Sequence, residues 1–261
     1  MKIVIAGVCL AMACGVQAGQ SCNINVQGDL SISKEAIRVA EEGRPVYEIT
    51  RNHTLLVDGV AVALDDEQTV LLARYESQLR ALVPQVKGVA VEGINMAATA
   101  LSIAIDSLLG DGNKVSQQLR DELNGLKGDV QQYFSPDNTI RFNAKGDNTP
   151  DLLGDYFATR VERIVETSVQ ESLGDVLLAL GREVLASGVD MEAFGVRMEK
   201  FGQQMEQQMN AKSALLETRG AALCDSIRAL DVVEEQLKVK LPQVDQFNLL
   251  QVEAPAQSHI I

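Results

Sequence analysis

The sequence has no tryptophan, and only 4% of its residues are aromatic. Aromatic rings are the usual platforms on which proteins stack sugars and nucleic-acid bases, so their scarcity argues against those ligands. Basic residues are also in the minority, with 23 Lys and Arg against 36 Asp and Glu, which gives a net charge of −13 at pH 7. An acidic surface repels phosphate backbones. We therefore expect no nucleic-acid partner.

Recognisable catalytic and metal-binding motifs are also missing. The two histidines are His53, beside a predicted turn, and His259, near the end of the chain, so a histidine metal site or a Ser/His/Asp triad is hard to assemble. No CxxC, G-x-S-x-G, P-loop or G-x-G-x-x-G pattern occurs. Ser31-Ile32-Ser33-Lys34 has the S-x-x-K spacing of serine acyl-enzymes, but on a predicted strand residues three apart face opposite sides. We therefore expect no catalytic, cofactor-binding or metal-binding residues, and the sequence indicates no particular activity.

The first eighteen residues have the pattern of a secretory signal peptide. Lys2 is followed by an apolar run from Ile3 to Ala13 and by Val16-Gln17-Ala18, with small residues where signal peptidase reads the chain. The apolar run is shorter than the roughly 20 residues that span a bilayer. Lipid attachment at Cys14 is the rival interpretation, but Ala11-Met12-Ala13 is a poor lipoprotein box. We expect cleavage after Ala18, a periplasmic location without a lipid anchor, and no transmembrane segment in the mature chain.

Cysteine usage predicts one disulfide. Cleavage would remove Cys9 and Cys14 and leave Cys22 and Cys224. An even pair in an oxidising compartment favours a disulfide, which here would tie the mature N-terminus to the C-terminal helix. Closing a loop of about 200 residues contributes at most roughly 5 kcal/mol. The alternative is two unrelated buried thiols.

Residues 19–64 are predicted to be β-rich. Apolar residues alternate in short runs broken by Gly28-Asp29 and Gly43-Arg44-Pro45, which is typical of an antiparallel meander with one buried face. Asp58-Gly59 lies between two of the runs and is a strong hairpin signal. We predict six short strands.

Residues 65–241 are predicted to be helical. Asp65 and Gln68 resemble a capping box that opens the first helix, and Pro84 is expected to end or kink it. The Ala- and Gly-rich run from Gln85 to Leu109 predicts a centrally buried helix, with peripheral membrane attachment as the alternative. Asn113 is expected to cap the next helix.

The remaining chain is predicted as a strand, two more helices and a tail. Residues 139–144 alternate again and are expected to return to the N-terminal sheet, and Asp151 opens a helix that reaches Val184. The last helix covers Met191 to Leu241, and residues 242–261 are predicted to form a flexible tail.

The last helix carries a coiled-coil seam. Apolar residues recur every seven positions, with one step of four that marks a stutter: Met191, Met198, Met205, Met209, Leu216, Leu223, Leu230 and Leu237. Gly220 is the first candidate for a bend. Met198, Phe201, Met205 and Met209 are the predicted interaction surface for a protein or an apolar ligand, because methionine side chains adapt to varied partners. The alternative is that they fill a helical core. A copper site is disfavoured because no His or Cys lies nearby.

Part of this pattern matches a known family. The matching residues are Cys22-Asn23, Leu30-Ser31-Ile32-Ser33-Lys34, the hairpin from Leu56 to Leu64 with Gly59, then Gln68, Tyr75, Leu79, Arg80, Leu82 and Pro84, and Cys224. In these residues the chain resembles the YggN-type family of uncharacterised bacterial periplasmic proteins. The resemblance implies a periplasmic location in a Gram-negative bacterium and the paired cysteines. It supplies no activity.

Together these features predict an α+β protein, with a small N-terminal antiparallel β-meander followed by a bundle of long, partly coiled-coil-like helices. The expected function is that of a non-enzymatic periplasmic binding or interaction protein whose partner is an unknown protein or apolar ligand. The alternative is a carboxylate-based periplasmic hydrolase, which a pocket with two or more convergent carboxylates of perturbed pKa would favour. The sequence gives no indication of oligomeric state.

Overall fold

The computed structural model describes residues 24–109, 112–143, 159–160, 162–164, 166, 174, 191–245 and 247–252. Within them the fold is α+β, as predicted: an N-terminal antiparallel sheet followed by long helices. The strands are β1 Ile24–Val26, β2 Asp29–Ile32, β3 Ala36–Glu41, β4 Arg44–Thr50, β5 Leu55–Val57, β6 Val60–Ala61, β7 Ile140–Asn143 and β8 Leu250–Val252. The helices are α1 Asp66–Leu109, α2 Lys114–Tyr133 and α3 Met191–Lys240.

The larger sheet has six antiparallel strands in the order β6-β5-β4-β3-β2-β7. Asp58 and Gly59 have φ angles of +51° and +77°, the left-handed conformation that a two-residue hairpin turn requires, so the predicted hairpin is confirmed. The strand predicted at 139–144 is also confirmed. It forms as β7 and pairs with β2, with Leu30 opposite Phe142.

The first strand and the end of the described chain form a separate two-stranded sheet. The alternating pattern placed Ile24–Val26 in the meander, but β1 pairs with β8 instead, with Val26 opposite Leu250. The prediction of a flexible tail from residue 242 is therefore wrong for residues 242–245 and 247–252. Burial of apolar side chains holds this segment against the core, namely Val244, Phe247, Leu249 and Leu250. Residues 253–261 lie outside the described ranges.

Helix α1 starts at the predicted capping box and continues past the predicted stop. The Gln68 N–H donates to Asp65 Oδ1 at 2.8 Å, and the Asp65 N–H donates to Gln68 Oε1 at 2.9 Å. The helix then runs without interruption through Pro84 to Leu109. Contacts with α2 and α3 hold α1 along its length, and this packing outweighs the one backbone hydrogen bond that proline removes.

The second half of α1 is less buried than its composition predicted. Between residues 85 and 107, Glu92 and Ile94 are buried, and the other side chains are half-buried or exposed. By length and composition alone, the stretch Asp66–Ser107 could cross a membrane, and 11% of its most apolar window is buried. Attachment to a membrane through this segment remains a prediction.

Helices α2 and α3 form close to the predicted positions. The Asn113 side chain caps α2 by accepting a hydrogen bond from the Ser116 N–H at 2.8 Å. The apolar side chains buried along α2 are Val115, Leu119, Leu123, Leu126 and Val130. Helix α3 is continuous through Gly220. Its seam is half-buried at Met205 and becomes fully buried at Leu230 and Leu237. The helix predicted from Asp151 to Val184 falls almost entirely outside the described residues.

Two hydrophobic clusters share the interior of the described chain. One joins the larger sheet to the first turns of α1, the end of α3 and the segment that follows it. The other joins the middle of α1 to α2 and to Ile140 of β7. Val83 of α1 and Phe142 of β7 pack against both clusters. The junction of the two clusters therefore lies beside Pro84.

Candidate binding cavity beside Pro84

A cavity of about 450 Å³ lies at this junction, and we call it the Pro84 cavity. It is bounded by the end of β2, the middle of α1 and the connection from α2 to β7: Ile32, Ser33, Lys34, Arg80, Val83, Pro84, Lys87, Phe134, Ser135, Pro136, Asn138 and Ile140. Its volume lies within the range of about 300–1,000 Å³ that is usual for small-molecule sites.

The floor of the Pro84 cavity is apolar because of sheet register and the end of α2. Ile32 and Ile140 are paired across β2 and β7, so both side chains lie on the same buried face. Phe134 follows the last residue of α2 and is 4% exposed. Its ring meets that of Tyr133 edge to face at 5.2 Å, and this contact helps to fix the ring in place.

The described residues that line the cavity include three cations and no carboxylate. Lys34 lies just after β2, whereas Arg80 and Lys87 lie seven residues apart on α1, a spacing that puts both on one face of the helix. Acidic residues outnumber basic ones in the chain as a whole. The cavity is thus a cationic site on an acidic protein.

Two of the three nitrogens of the Arg80 guanidinium donate hydrogen bonds to described residues, and the third does not. Its Nε donates to Glu76 Oε1 at 2.8 Å, and its Nη1 donates to the Ser33 carbonyl. The other Glu76 oxygen lies 2.6 Å from Nδ1 of His53, a residue with a left-handed backbone at φ +56°. Nη2 of Arg80 is buried and has no hydrogen-bond partner among the residues that the structure describes. A buried donor without an acceptor is costly.

The two lysines have different partners. Lys34 forms an ion pair with Asp137, and this hydrogen bond and charge lower the pKa of the Asp137 carboxyl. Nζ of Lys87 donates to the Gln131 carbonyl at 3.4 Å, a partner that carries no charge. Because Glu76 offsets Arg80 and Asp137 offsets Lys34, about one positive charge remains, on Lys87.

A second polar cluster is buried and structural. Glu234 of α3 is 2% exposed, and its carboxylate accepts the N–H groups of Leu249 and Leu250 at 2.8 and 3.0 Å. The Tyr75 hydroxyl donates to it at 3.2 Å and lies 2.9 Å from the Tyr47 hydroxyl. Desolvation raises the pKa of Glu234 and that of Tyr75. A carboxylate enclosed in this way holds the β8 segment and cannot reach a substrate.

Two further cavities differ in chemistry from the Pro84 cavity. One, of about 750 Å³ between α1, α2 and α3, is lined mainly by amide and hydroxyl groups, and its carboxylate, Asp106, is paired with Arg120 at 2.7 Å. The other, of about 480 Å³, includes Glu41 and Asp58, which are both exposed. Neither presents the buried acid–base pair that the hydrolase interpretation requires.

The predicted interaction surface lies elsewhere. Phe201, Met205 and Met209 of α3 are half-buried, and the side chain of Met198 is outside the described residues. None of the three described side chains is among the residues that line the Pro84 cavity. The role of all four residues as an interaction surface remains a prediction. Among the described residues, no group of three or more His, Cys, Asp or Glu side chains is arranged to hold a metal ion.

The predicted disulfide is described at one end only. Cys224 of α3 is 4% exposed, and its sulfur is in a disulfide. Cys22 lies outside the described residues, so the pairing of Cys22 with Cys224 remains a prediction.

No motif in the sequence marks the three cations of the cavity as one site. Arg80 and Lys87 lie on either side of Pro84 at a helical spacing, and that spacing was the available signal. Lys34 and Phe134 come from distant parts of the chain, and no local pattern connects them with α1.

The sequence model of a family described as "Protein of unknown function (DUF2884)" matches residues 22–250. The chain belongs to this family. No curated protein and no solved structure matches the chain.

Proposed function

We propose that this member of the DUF2884 family is a non-enzymatic binding protein of the bacterial periplasm and that the Pro84 cavity is its binding site. The observation that carries the proposal is the cavity itself, in which three cations surround an apolar floor and none of the lining residues is acidic. A small number of convergent polar groups on an apolar surface is the usual composition of a ligand site.

The arrangement of the described carboxylates favours a binding function over a hydrolase function. Hydrolysis by carboxylates needs two acidic groups that face one substrate. The carboxyl of Glu234 has a raised pKa but is enclosed by its hydrogen bonds, and Glu76 is occupied by Arg80 and His53.

The periplasmic location and the closer family relationship are also proposals. They are supported by the signal-peptide pattern of residues 1–18 and by the resemblance to YggN-type proteins. Cell fractionation followed by N-terminal sequencing tests the location, and we expect a periplasmic protein that begins at Gly19. A chain recovered in the cytoplasm with Met1 intact would contradict this.

Native mass spectrometry of protein released gently from cells tests the binding function. We expect a small molecule that stays bound in the native spectrum and is lost on denaturation. Ser135→Trp would fill the cavity and remove the adduct, whereas Ala221→Trp, at an exposed position of α3, would keep it. A wild-type protein without any adduct, or an adduct that survives Ser135→Trp, would count against the proposal.

A further inference from the structure

We propose that the Pro84 cavity binds a small amphiphilic monocarboxylate, with its carboxylate between Arg80 and Lys87 and its apolar body on the floor formed by Ile32, Phe134 and Ile140. The inference rests on the proposed binding function and names the class of ligand.

The head group follows from the free donors and the remaining charge. Among the described residues, Nη2 of Arg80 has no acceptor, and because it is buried the guanidinium must turn toward the cavity to meet a ligand oxygen. The Lys87 ammonium donates to the Gln131 carbonyl, a partner without charge. Two donors from two cations match the two oxygens of one carboxylate. Since Glu76 and Asp137 already offset Arg80 and Lys34, the site has a surplus of about one positive charge. A monoanion balances this surplus, whereas a dianionic phosphate exceeds it.

The size of the ligand follows from the cavity volume. The cavity measures about 450 Å³, and since a water occupies about 30 Å³ in the liquid, it holds on the order of fifteen water-sized groups. A medium-chain carboxylate such as decanoate fits this size. A membrane phospholipid is too large to be enclosed.

A set of probes with equal chain lengths tests the head group. Isothermal titration of the mature protein with decanoate, below the concentration at which it forms micelles, is expected to give one site per chain. Decanol, decyl phosphate and decyltrimethylammonium keep the ten-carbon chain and change the charge of the head group. Each should bind at least tenfold more weakly than decanoate. Acetate should show no binding, and affinity should rise by up to about fourfold per added methylene until the cavity is filled.

Charge variants locate the head group in the protein. Lys87→Gln should weaken decanoate binding roughly tenfold or more, because a hydrogen bond to a charged group is lost. Lys87→Arg should restore most of it. Arg74→Gln removes one charge from an exposed position of the same helix and should leave binding unchanged. Circular dichroism confirms that each variant is folded.

The outcomes separate the two proposals. If the native protein carries an adduct but decanol or decyl phosphate binds as tightly as decanoate, the ligand class is wrong and the binding function stands. Equal losses of affinity in Lys87→Gln and Arg74→Gln would also overturn the assignment of the head group. If no adduct is found and none of the probes binds, both proposals fail.

Discussion

The Glu234 carboxylate of α3 lies 3.2 Å from the Tyr75 hydroxyl of α1, in the middle of an otherwise apolar core. The same carboxylate accepts hydrogen bonds from two backbone N–H groups of the segment that follows α3. One acidic side chain therefore joins two helices and the entry to β8.

Replacement of Glu234 by Ala should lower the free energy of unfolding by about 3 kcal/mol, because two buried N–H groups and a buried hydroxyl lose their acceptor. Glu235→Ala is the matched control. Its side chain is 54% exposed and pairs with Lys238, so its loss should cost under about 1 kcal/mol. Urea denaturation measures both. Similar losses in the two variants would contradict the assigned role of Glu234.

The stability contributed by Glu234 should depend on pH. Desolvation raises the pKa of Glu234 in the folded state above its ordinary value of 4.5, so the folded state keeps the carboxyl proton to a higher pH than the unfolded state does. The resulting stabilisation is complete below the unfolded pKa and is lost as the pH rises through the folded pKa. The difference in unfolding free energy between wild type and Glu234→Gln should therefore be larger near pH 4 than near pH 7.5. A difference that grows with pH would contradict the raised pKa.

Gly28 and Gly43 provide a matched test of steric constraint. Both have left-handed φ angles, +75° and +76°, but a Cβ at Gly28 would lie 2.5 Å from the Ala40 carbonyl oxygen, whereas a Cβ at Gly43 would meet nothing within 4 Å. Gly43→Ala should lower the free energy of unfolding by about 1 kcal/mol, because alanine is strained in this backbone conformation. Gly28→Ala should cost about 3 kcal/mol, because the strand must also move. Equal losses in thermal denaturation would show that the Ala40 contact does not matter.

The capping box of α1 should contribute measurably to stability. Asp65→Ala removes the acceptor for the Gln68 N–H and should lower the free energy of unfolding by about 1 kcal/mol. Asp66→Ala, at the first residue of α1, removes the same charge without removing the cap and should cost less. Chemical denaturation separates the two variants, and a greater loss for Asp66→Ala would argue against the capping role.

The disulfide predicted between Cys22 and Cys224 can be tested by comparing single and double variants. If the two residues are paired, the free energy of unfolding should fall by a similar amount, roughly 2–5 kcal/mol, in Cys22→Ser, in Cys224→Ser and in the double variant. Mass spectrometry of peptides under non-reducing conditions should find the two residues linked. Independent, additive losses and two free thiols would exclude the pairing.

The sequence predicted local structure well because the signals for it are local. Alternation located the strands of the sheet, Asp58-Gly59 located a hairpin, and Asp65 with Gln68 located the start of α1. The helix does not end at Pro84, which was one of the two predicted outcomes, because the effect of a proline on a helix depends on tertiary packing. The partner of β1 could not be predicted, since β8 is only three residues long and lies at the other end of the chain.

The cavity was harder to predict than the fold because it is formed by three separate parts of the chain. Lys34, Arg80 and Phe134 become neighbours only when β2 pairs with β7 and α1 crosses them. The missing acceptor of Arg80 Nη2 is a property of three-dimensional packing, and no spacing in the sequence indicates it. The apolar character of α1 was correctly recognised, but its degree of burial depended on which neighbours reach it.

The pairing of β1 with β8 has a consequence for how the chain reaches its final form. Phe247, Leu249 and Leu250 belong to the principal hydrophobic cluster, so that cluster cannot close fully until the chain has been synthesised as far as Leu250. Until then the N-terminal strands lack the side chains that cover them. Truncation of the chain before Phe247 should therefore leave the apolar face of the larger sheet without part of its cover.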